Sequence, residues 1–235
     1  MTPPEEATPD YGRAFAAWRA AAGADWEAYA RHPFVEGLAD GTLPREAFLR
    51  YLVQDYVFLI HFSRAWALAV VKSDTLAEMK MAAGVVDGLV NDEMQLHVRV
   101  CAEAGIDEAA LEAAEEHPAN LAYTRYVLEA GQAGDLADLL AALAPCVLGY
   151  GEIGARLGAE AAAGAEAGPY ADWIATYSGD AYQALARETG ALIDAALARR
   201  IGEPFEDAPR WPRLTQRFVT ATRLEAGFWQ MGLAG

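Results

Sequence analysis

One aspartate lies within an apolar helical stripe near the start of the sequence. Asp55 follows Leu52 and precedes Phe58 at steps of three residues, so its carboxylate is predicted to point into a helix bundle. Burying an unpaired carboxylate is costly, and a buried Asp therefore has a partner or a ligand. A substrate-binding carboxylate and a structural ion pair with a buried arginine such as Arg64 are both open at this point.

One glutamate repeats the pattern near the end of the sequence. Glu225 lies between Phe218 and Trp229 on a stripe of aromatic and small residues. Desolvation there would raise its pKa and leave a proton available near neutral pH, as a general acid requires. The alternative is a structural ion pair with Arg217 or Arg223, although both arginines lie off the stripe.

A cysteine lies on a third apolar face. Cys146 shares that face with Leu143 and Tyr150, and Pro145 precedes it inside a predicted helix. A cysteine in this position is either an inert small apolar residue or a nucleophile. The proline removes one helical hydrogen bond next to it, an irregularity of the kind found at functional sites.

If these three stripes meet, they bring an acid, a base and a nucleophile to one small-molecule pocket. Aromatic residues on the same faces would line it: Phe58, Tyr123, Tyr150, Tyr177 and Phe228. The spacing shows that each side chain faces the core. It does not show that the three faces meet.

Glu93 and His97 indicate a different chemistry. They are four residues apart on one predicted helix and could supply two metal ligands from one face, as in a metal-dependent oxidase. A carboxylate-bridged two-metal bundle needs Glu-x-x-His on two helices, and the sequence has neither copy. The alternative is a core histidine or an i,i+4 hydrogen bond.

Helices must position these residues, because apolar side chains recur at steps of three and four almost throughout. No run of alternating β-branched residues indicates a strand, so the expected fold class is an all-α, single-domain helical bundle. The predicted helices cover about 43–72, 76–103, 108–116, 119–130, 135–163, 170–177, 178–200 and 214–232. Asp135 is the expected N-cap of the fifth of these.

Length and composition agree with one globular domain spanning 1–235, with 1–10 as a flexible N-terminal tail. The 235 residues are 54% hydrophobic, which excludes a disordered chain. A net charge of −16 makes nucleic acid and anionic membrane surfaces poor partners. Two cysteines and an acidic start without a secretory signal indicate the cytoplasm, and no membrane-spanning helix is expected.

Several runs of the sequence recur together, in order and at matching spacings, in one known family. These runs are Trp26-x-x-Tyr29-x-x-His32-Pro33-Phe34, Asp40-Gly41-Thr42-Leu43-Pro44, Tyr51-Leu52-Val53-Gln54-Asp55-Tyr56, Phe62-Ser63-Arg64-Ala65, Ala144-Pro145-Cys146, Gly149-Tyr150-Gly151-Glu152-Ile153-Gly154, Trp173-Ile174-x-x-Tyr177 and Glu225-x-x-Phe228-Trp229-x-Met231. With them the sequence resembles the TenA/THI-4 family of thiaminase II enzymes. The resemblance implies a fold like that of haem oxygenase, a homotetramer, and neither haem, metal nor another cofactor.

The resemblance also implies a hydrolytic reaction in thiamine salvage. Members release 4-amino-5-hydroxymethyl-2-methylpyrimidine from thiamine or from 4-amino-5-aminomethyl-2-methylpyrimidine. Carried over to this sequence, Cys146 is the nucleophile that adds to the pyrimidine ring, Glu225 is the acid and base, and Asp55 binds the aminopyrimidine. A non-catalytic pyrimidine or thiamine binder with a regulatory role is the alternative.

The same resemblance assigns the pocket wall. Tyr123, Tyr150 and Tyr177 match its aromatic residues, and Phe228 matches the aromatic residue beside the glutamate. At Phe58 the sequence departs from several members, which carry a tyrosine whose hydroxyl approaches the cysteine. Without that hydroxyl the thiolate loses a possible hydrogen bond, so slower turnover is expected unless another group replaces it.

Overall fold

Helices connected by short turns make up the computed structural model, which describes residues 9–163 and 168–234. Within those ranges there is no strand, and the all-α prediction is confirmed. The helices are α1 Arg13–Ala22, α2 Ala24–Ala30, α3 Pro33–Ala39, α4 Arg45–Lys72, α5 Leu76–Gly88, a π-helical segment Leu89–Glu93, α6 Met94–Glu103, α7 Glu108–Glu112, α8 Pro118–Ala133, α9 Leu136–Ala162, α10 Ala171–Ser178, α11 Asp180–Ile201, a 3₁₀ helix Phe205–Asp207 and α12 Trp211–Leu233. The predicted tail 1–10 lies outside the described residues except for 9 and 10.

Helix α9 is the central element. It packs against α8, α10, α11 and α12, and it is buried along most of its length. It is long and apolar enough to cross a membrane by composition, but 94% of its most apolar window is buried inside the protein, as in a core helix of a globular bundle.

The start of α9 is fixed by polar contacts. Asp135 is its N-cap, as predicted, and forms a capping box with Asp138. The Asp138 carboxylate is fully buried and accepts hydrogen bonds from Arg210 and Arg217, each at 2.8 Å. Arg210 immediately precedes α12 and Arg217 lies within it, so these bonds fix α12 against α9.

Two predicted helices differ from the structure. The stretch 76–103 was expected as one helix, but a π turn at Leu89–Glu93 separates α5 from α6. The helix expected over 108–116 ends at Glu112, because Gln54 holds the chain beyond it in a non-helical path. The Gln54 side chain donates to the Glu115 carbonyl and accepts from the His117 N–H, both at 2.9 Å.

Glycines allow α9 to approach its neighbours closely. A Cβ at Gly149 would lie 2.4 Å from the Tyr29 ring, and a Cβ at Gly154 would lie 2.4 Å from the Tyr177 backbone oxygen. No real Cβ tolerates such contacts. The glycines therefore let Tyr29 and Tyr177 pack directly against the helix that carries Cys146.

Candidate active site

A cavity of about 460 Å³ opens between α4, α5, the π segment, α6, α9, α10 and α11. Its lining includes five of the predicted site residues, Asp55, Phe58, Cys146, Tyr150 and Tyr177. The other three, Tyr123, Glu225 and Phe228, are buried and are not among the cavity-lining residues. The structure thus brings the predicted stripes together in two layers, a cavity wall and a group of side chains behind it.

Cys146 and Glu225 connect the two layers. The thiol and the Glu225 carboxyl influence each other's protonation, and the carboxyl accepts a hydrogen bond from the Tyr123 hydroxyl at 2.8 Å. Burial raises the pKa of Glu225 to about 8, and the Asp55 charge adds to the effect. The predicted alternative, an ion pair with Arg217 or Arg223, is wrong.

Those two arginines have other partners. Arg217 contacts Asp138 and Glu129, and Arg223 pairs with Asp25 at 2.9 Å. Neither arginine therefore forms an ion pair with Glu225.

The Cys146 thiol keeps its proton at neutral pH. Burial raises its pKa well above the ordinary value, and the carboxylates of Glu225, Glu93 and Asp55 add to the shift. The residue is nevertheless partly accessible from the cavity. Just before it, the Pro145 carbonyl accepts a hydrogen bond from the Tyr29 hydroxyl at 3.2 Å. A thiolate at this position forms only if a neighbouring base takes the proton.

Asp55 has a partner that the sequence did not reveal. Its Oδ2 atom is 2.6 Å from His97 Nε2 and accepts a hydrogen bond from the Tyr51 hydroxyl at 3.1 Å. The predicted alternative with Arg64 is wrong, since the Arg64 guanidinium lies 3.2 Å from His61 and is exposed. Asp55 Oδ1 remains without a protein partner within the described part of the chain.

His97 lies between two acceptors. Its Nδ1 is 2.9 Å from the Glu93 carbonyl oxygen, and its Nε2 faces the Asp55 carboxylate. This contact is the i,i+4 hydrogen bond expected as an alternative to metal binding. Burial lowers the pKa of His97, but Asp55 and Glu93 outweigh it and the net pKa is raised. Two acceptors favour the doubly protonated ring.

Glu93 is a cavity residue that sequence reasoning considered only as a metal ligand. Its Oε1 accepts a hydrogen bond from the Tyr177 hydroxyl at 2.8 Å, and burial raises its pKa. Both ring nitrogens of His97 are occupied by protein acceptors, which leaves no ring lone pair for a metal. Across residues 9–163 and 168–234, no group of three or more His, Cys, Asp or Glu side chains is arranged to hold a metal ion.

Aromatic rings contact one another around the site. Phe58 stacks on Tyr123 with ring centroids 5.1 Å apart and contacts Phe228 at 5.4 Å. Tyr150 meets Tyr177 edge-on at 5.0 Å. Such faces suit a flat ligand ring, because aromatic pairs gain from stacked and edge contacts beyond the area they bury.

Comparison with known proteins identifies the family that shares this arrangement. A model of the TENA/THI-4/PQQC family matches residues 19–235, nearly the whole chain. The chain belongs to this family. The haem oxygenase-like all-α fold expected from the resemblance is confirmed, since solved TenA structures with this fold superimpose on the chain.

Three members of the TENA/THI-4/PQQC family illustrate the similarity. A protein of Haemophilus influenzae without a described function is 41% identical over 88% of this chain and 93% of its own length. An aminopyrimidine aminohydrolase of Halalkalibacterium halodurans is 37% identical over 88% of this chain and 89% of its own length. The crystal structure of a TenA family transcription regulator from Silicibacter sp. TM1040 is 63% identical and covers 96% of this chain and 98% of its own, with a TM-score of 0.92.

Proposed function

We propose that this protein is an aminopyrimidine aminohydrolase of thiamine salvage. It releases 4-amino-5-hydroxymethyl-2-methylpyrimidine from 4-amino-5-aminomethyl-2-methylpyrimidine and from thiamine. The observation that carries the proposal is that Cys146 and Asp55 line one aromatic cavity, while the buried Glu225 carboxyl is electrostatically coupled to the cysteine. Relatives named aminopyrimidine aminohydrolase, 37% and 31% identical over most of this chain, support it.

Substrate recognition depends on Asp55. An aminopyrimidine carries an amino donor beside a ring nitrogen, and a carboxylate fixes such a group by directed hydrogen bonds. The Asp55 Oδ2 atom is held by His97 and Tyr51, so its other oxygen is directed at the ligand. Phe58 and Tyr150 supply aromatic rings to the cavity lining.

Catalysis depends on one proton that moves between Cys146 and Glu225. The ionised carboxylate accepts the thiol proton, and the sulfur adds to a carbon of the pyrimidine ring. Glu225 returns the proton to a ring nitrogen, where negative charge would otherwise develop. The electron pair of the adduct then expels the amine or thiazole from the neighbouring methylene, water adds to that carbon, and the sulfur leaves. The proposed chemistry uses only side chains and water.

The assembly and compartment are part of the proposal. A homotetramer in the cytoplasm fits two large apolar side chains at the corner between α4 and α5, Val71 and Leu76, which are 78% and 65% exposed. Both cysteines are free thiols, as a reducing compartment favours. The net charge of −16 argues against nucleic acid and anionic membranes as partners.

The test is direct turnover. The purified protein is incubated with thiamine and with the aminomethyl pyrimidine separately, and the hydroxymethyl product is quantified. Cys146→Ser is expected to lose at least about 100-fold in kcat, because the alcohol is a far weaker nucleophile. Cys101→Ala is the matched control, since Cys101 is buried away from the cavity lining. Substantial turnover by Cys146→Ser would contradict the nucleophile assignment.

A second candidate is a non-catalytic pyrimidine binder with a regulatory role. The raised pKa of Cys146 favours it, as does the 63% identical structure described as a transcription regulator. Tight binding of the hydroxymethyl pyrimidine without turnover of either substrate would support this candidate. Labelling of Cys146 by a thiol reagent, with protection by the product, tests the pocket in both cases.

A further inference from the structure

Glu93 and Glu225 differ in their position relative to the cavity. Glu93 lines the cavity together with the cysteine, whereas Glu225 is not among the cavity-lining residues. The Glu225 carboxyl accepts a hydrogen bond from the Tyr123 hydroxyl and is electrostatically coupled to Cys146. A second carboxyl therefore lies on the substrate side, and the steps proposed above do not use it.

The backbone around Glu93 has an unusual conformation. The π segment Leu89–Glu93 interrupts an otherwise continuous helical path between α5 and α6, and Glu93 is its last residue. Short π segments of this kind are frequently found at functional sites. Here the last residue of the segment is a glutamate that lines a cavity together with a cysteine.

Only one oxygen of the Glu93 carboxyl is occupied. Oε1 accepts the hydrogen bond from Tyr177 at 2.8 Å, which fixes the orientation of the group. In the described part of the chain, Oε2 has no hydrogen-bond partner, and the residue is partly accessible. An oriented carboxylate with an unused oxygen attracts a cationic hydrogen-bond donor.

We propose that Glu93 is a further catalytic residue, which binds the ammonium group of the aminomethyl pyrimidine and then accepts a proton from the attacking water. This inference rests on the proposed function and assigns its leaving-group site. Burial raises the pKa of Glu93, the positive charge on His97 opposes that shift, and a bound ammonium adds a second positive charge that favours the carboxylate.

The step balances in atoms and protons. The bond between the methylene carbon and nitrogen breaks, and the nitrogen keeps the electron pair and departs as ammonia. A water oxygen then bonds to the same carbon, and its proton passes to Glu93 and from there to ammonia, which leaves as ammonium. The leaving ammonia and the attacking water are bonded to the same methylene carbon one after the other. One fixed carboxylate, Glu93, can therefore contact both.

The experiment compares two changes at Glu93. One removes the charge of the carboxylate, and the other removes the side chain and supplies azide as an external nucleophile. Glu93→Gln keeps the shape and the acceptor for Tyr177 but cannot take a proton, and we expect kcat to fall about 100-fold or more. Glu103→Gln, an exposed carboxyl on α6, is the matched control and is expected to stay within about twofold of wild type. Glu93→Ala leaves space for azide, which needs no base and should attack the methylene carbon.

Mass spectrometry then provides a readout that a merely structural role would not change. Azide is expected to restore substrate consumption by Glu93→Ala and to yield the azidomethyl pyrimidine. The proposal is overturned if Glu93→Gln keeps kcat within about threefold of wild type. It is also overturned if Glu93→Ala binds the hydroxymethyl product normally but forms no azidomethyl product. Lack of turnover by the wild-type protein would instead overturn the proposed function itself.

Discussion

At the level of single residues, under the proposed function the Cys146–Glu225 pair determines the conditions under which the site can react. The pKa of the thiol is well above its ordinary value and that of the carboxyl is about 8, so at neutral pH most molecules hold a proton on each group. In that state no base is available to the thiol. The reactive form carries one proton between the two groups, and it becomes populated as Glu225 ionises.

The pH dependence of kcat/KM follows from this pair. Since ionised Glu225 must accept the thiol proton, kcat/KM is expected to rise with pH up to about pH 8 and then to level off. Steady-state measurements of kcat/KM between pH 5.5 and 9.5 would show this rise and the plateau above it. Glu225→Gln should lose at least about 100-fold in kcat/KM, whereas Glu188→Gln, an exposed carboxyl on α11, should keep the wild-type profile. A profile that is flat across this range would contradict the assignment.

Residue spacing predicted which side chains face inward but not which of them meet. Asp55, Cys146 and Glu225 each lie on an apolar stripe, and each proved to face the core or the cavity. Their partners lie far away in the sequence, with His97 42 residues from Asp55 and Tyr123 102 residues from Glu225. Helical periodicity reports a face of one helix, and tertiary packing decides which faces become neighbours.

At the level of secondary structure, a feature that depends on adjacent residues could be predicted from the sequence, whereas features that depend on tertiary contacts could not. The Asp135 cap depends on a few adjacent residues and was predicted. The π turn at Leu89–Glu93 was not, because apolar residues continue through it at helical spacing. The close approach of α10 to α9 at Gly154 was also not predicted, although this contact places Tyr177 at the site.

Gly154 is therefore expected to be intolerant of a side chain. In Gly154→Ala the new Cβ would lie 2.4 Å from the backbone oxygen of Tyr177, so α10 must move. Overpacking of this kind costs about 1–3 kcal/mol of the free energy of unfolding. A shift of α10 also disturbs the bond from Tyr177 to Glu93, so kcat should fall as well. Denaturant unfolding and steady-state kinetics measure the two effects.

Gly227→Ala is the matched control for stability. Gly227 lies inside α12, and a Cβ built there meets no atom within 4 Å. An alanine in a helix interior is more favourable than glycine by about 0.5–1 kcal/mol, so this variant should be slightly more stable than wild type. Equal stabilisation by both alanine variants would show that α9 and α10 are not packed as closely as the structure indicates.

At the level of the whole molecule, the acidic balance extends into the cavity. The net charge is −16, and Asp55, Asp92 and Glu93 line the cavity with Arg99 as the one basic lining residue among those the structure describes. Under the proposed function both substrates carry a positive charge, on the thiazolium or the ammonium group, while the hydroxymethyl product has lost it. An acidic field should therefore attract substrate more strongly than product.

Salt should weaken this attraction without changing the chemical step. The Debye length, over which the field of a surface charge decays, is about 30 Å at 0.01 M ionic strength and about 3 Å at 1 M. KM for thiamine should therefore rise several-fold between these two ionic strengths, while kcat stays constant. Carboxylates in the cavity are shielded from ions and retain part of their effect, so the rise should level off instead of continuing. The matched measurement is the Kd of the uncharged hydroxymethyl product by calorimetry, which should change little over the same range. A KM for thiamine that is independent of salt would show that the surface charge has no part in capturing the cation, and that the cavity carboxylates alone provide the attraction.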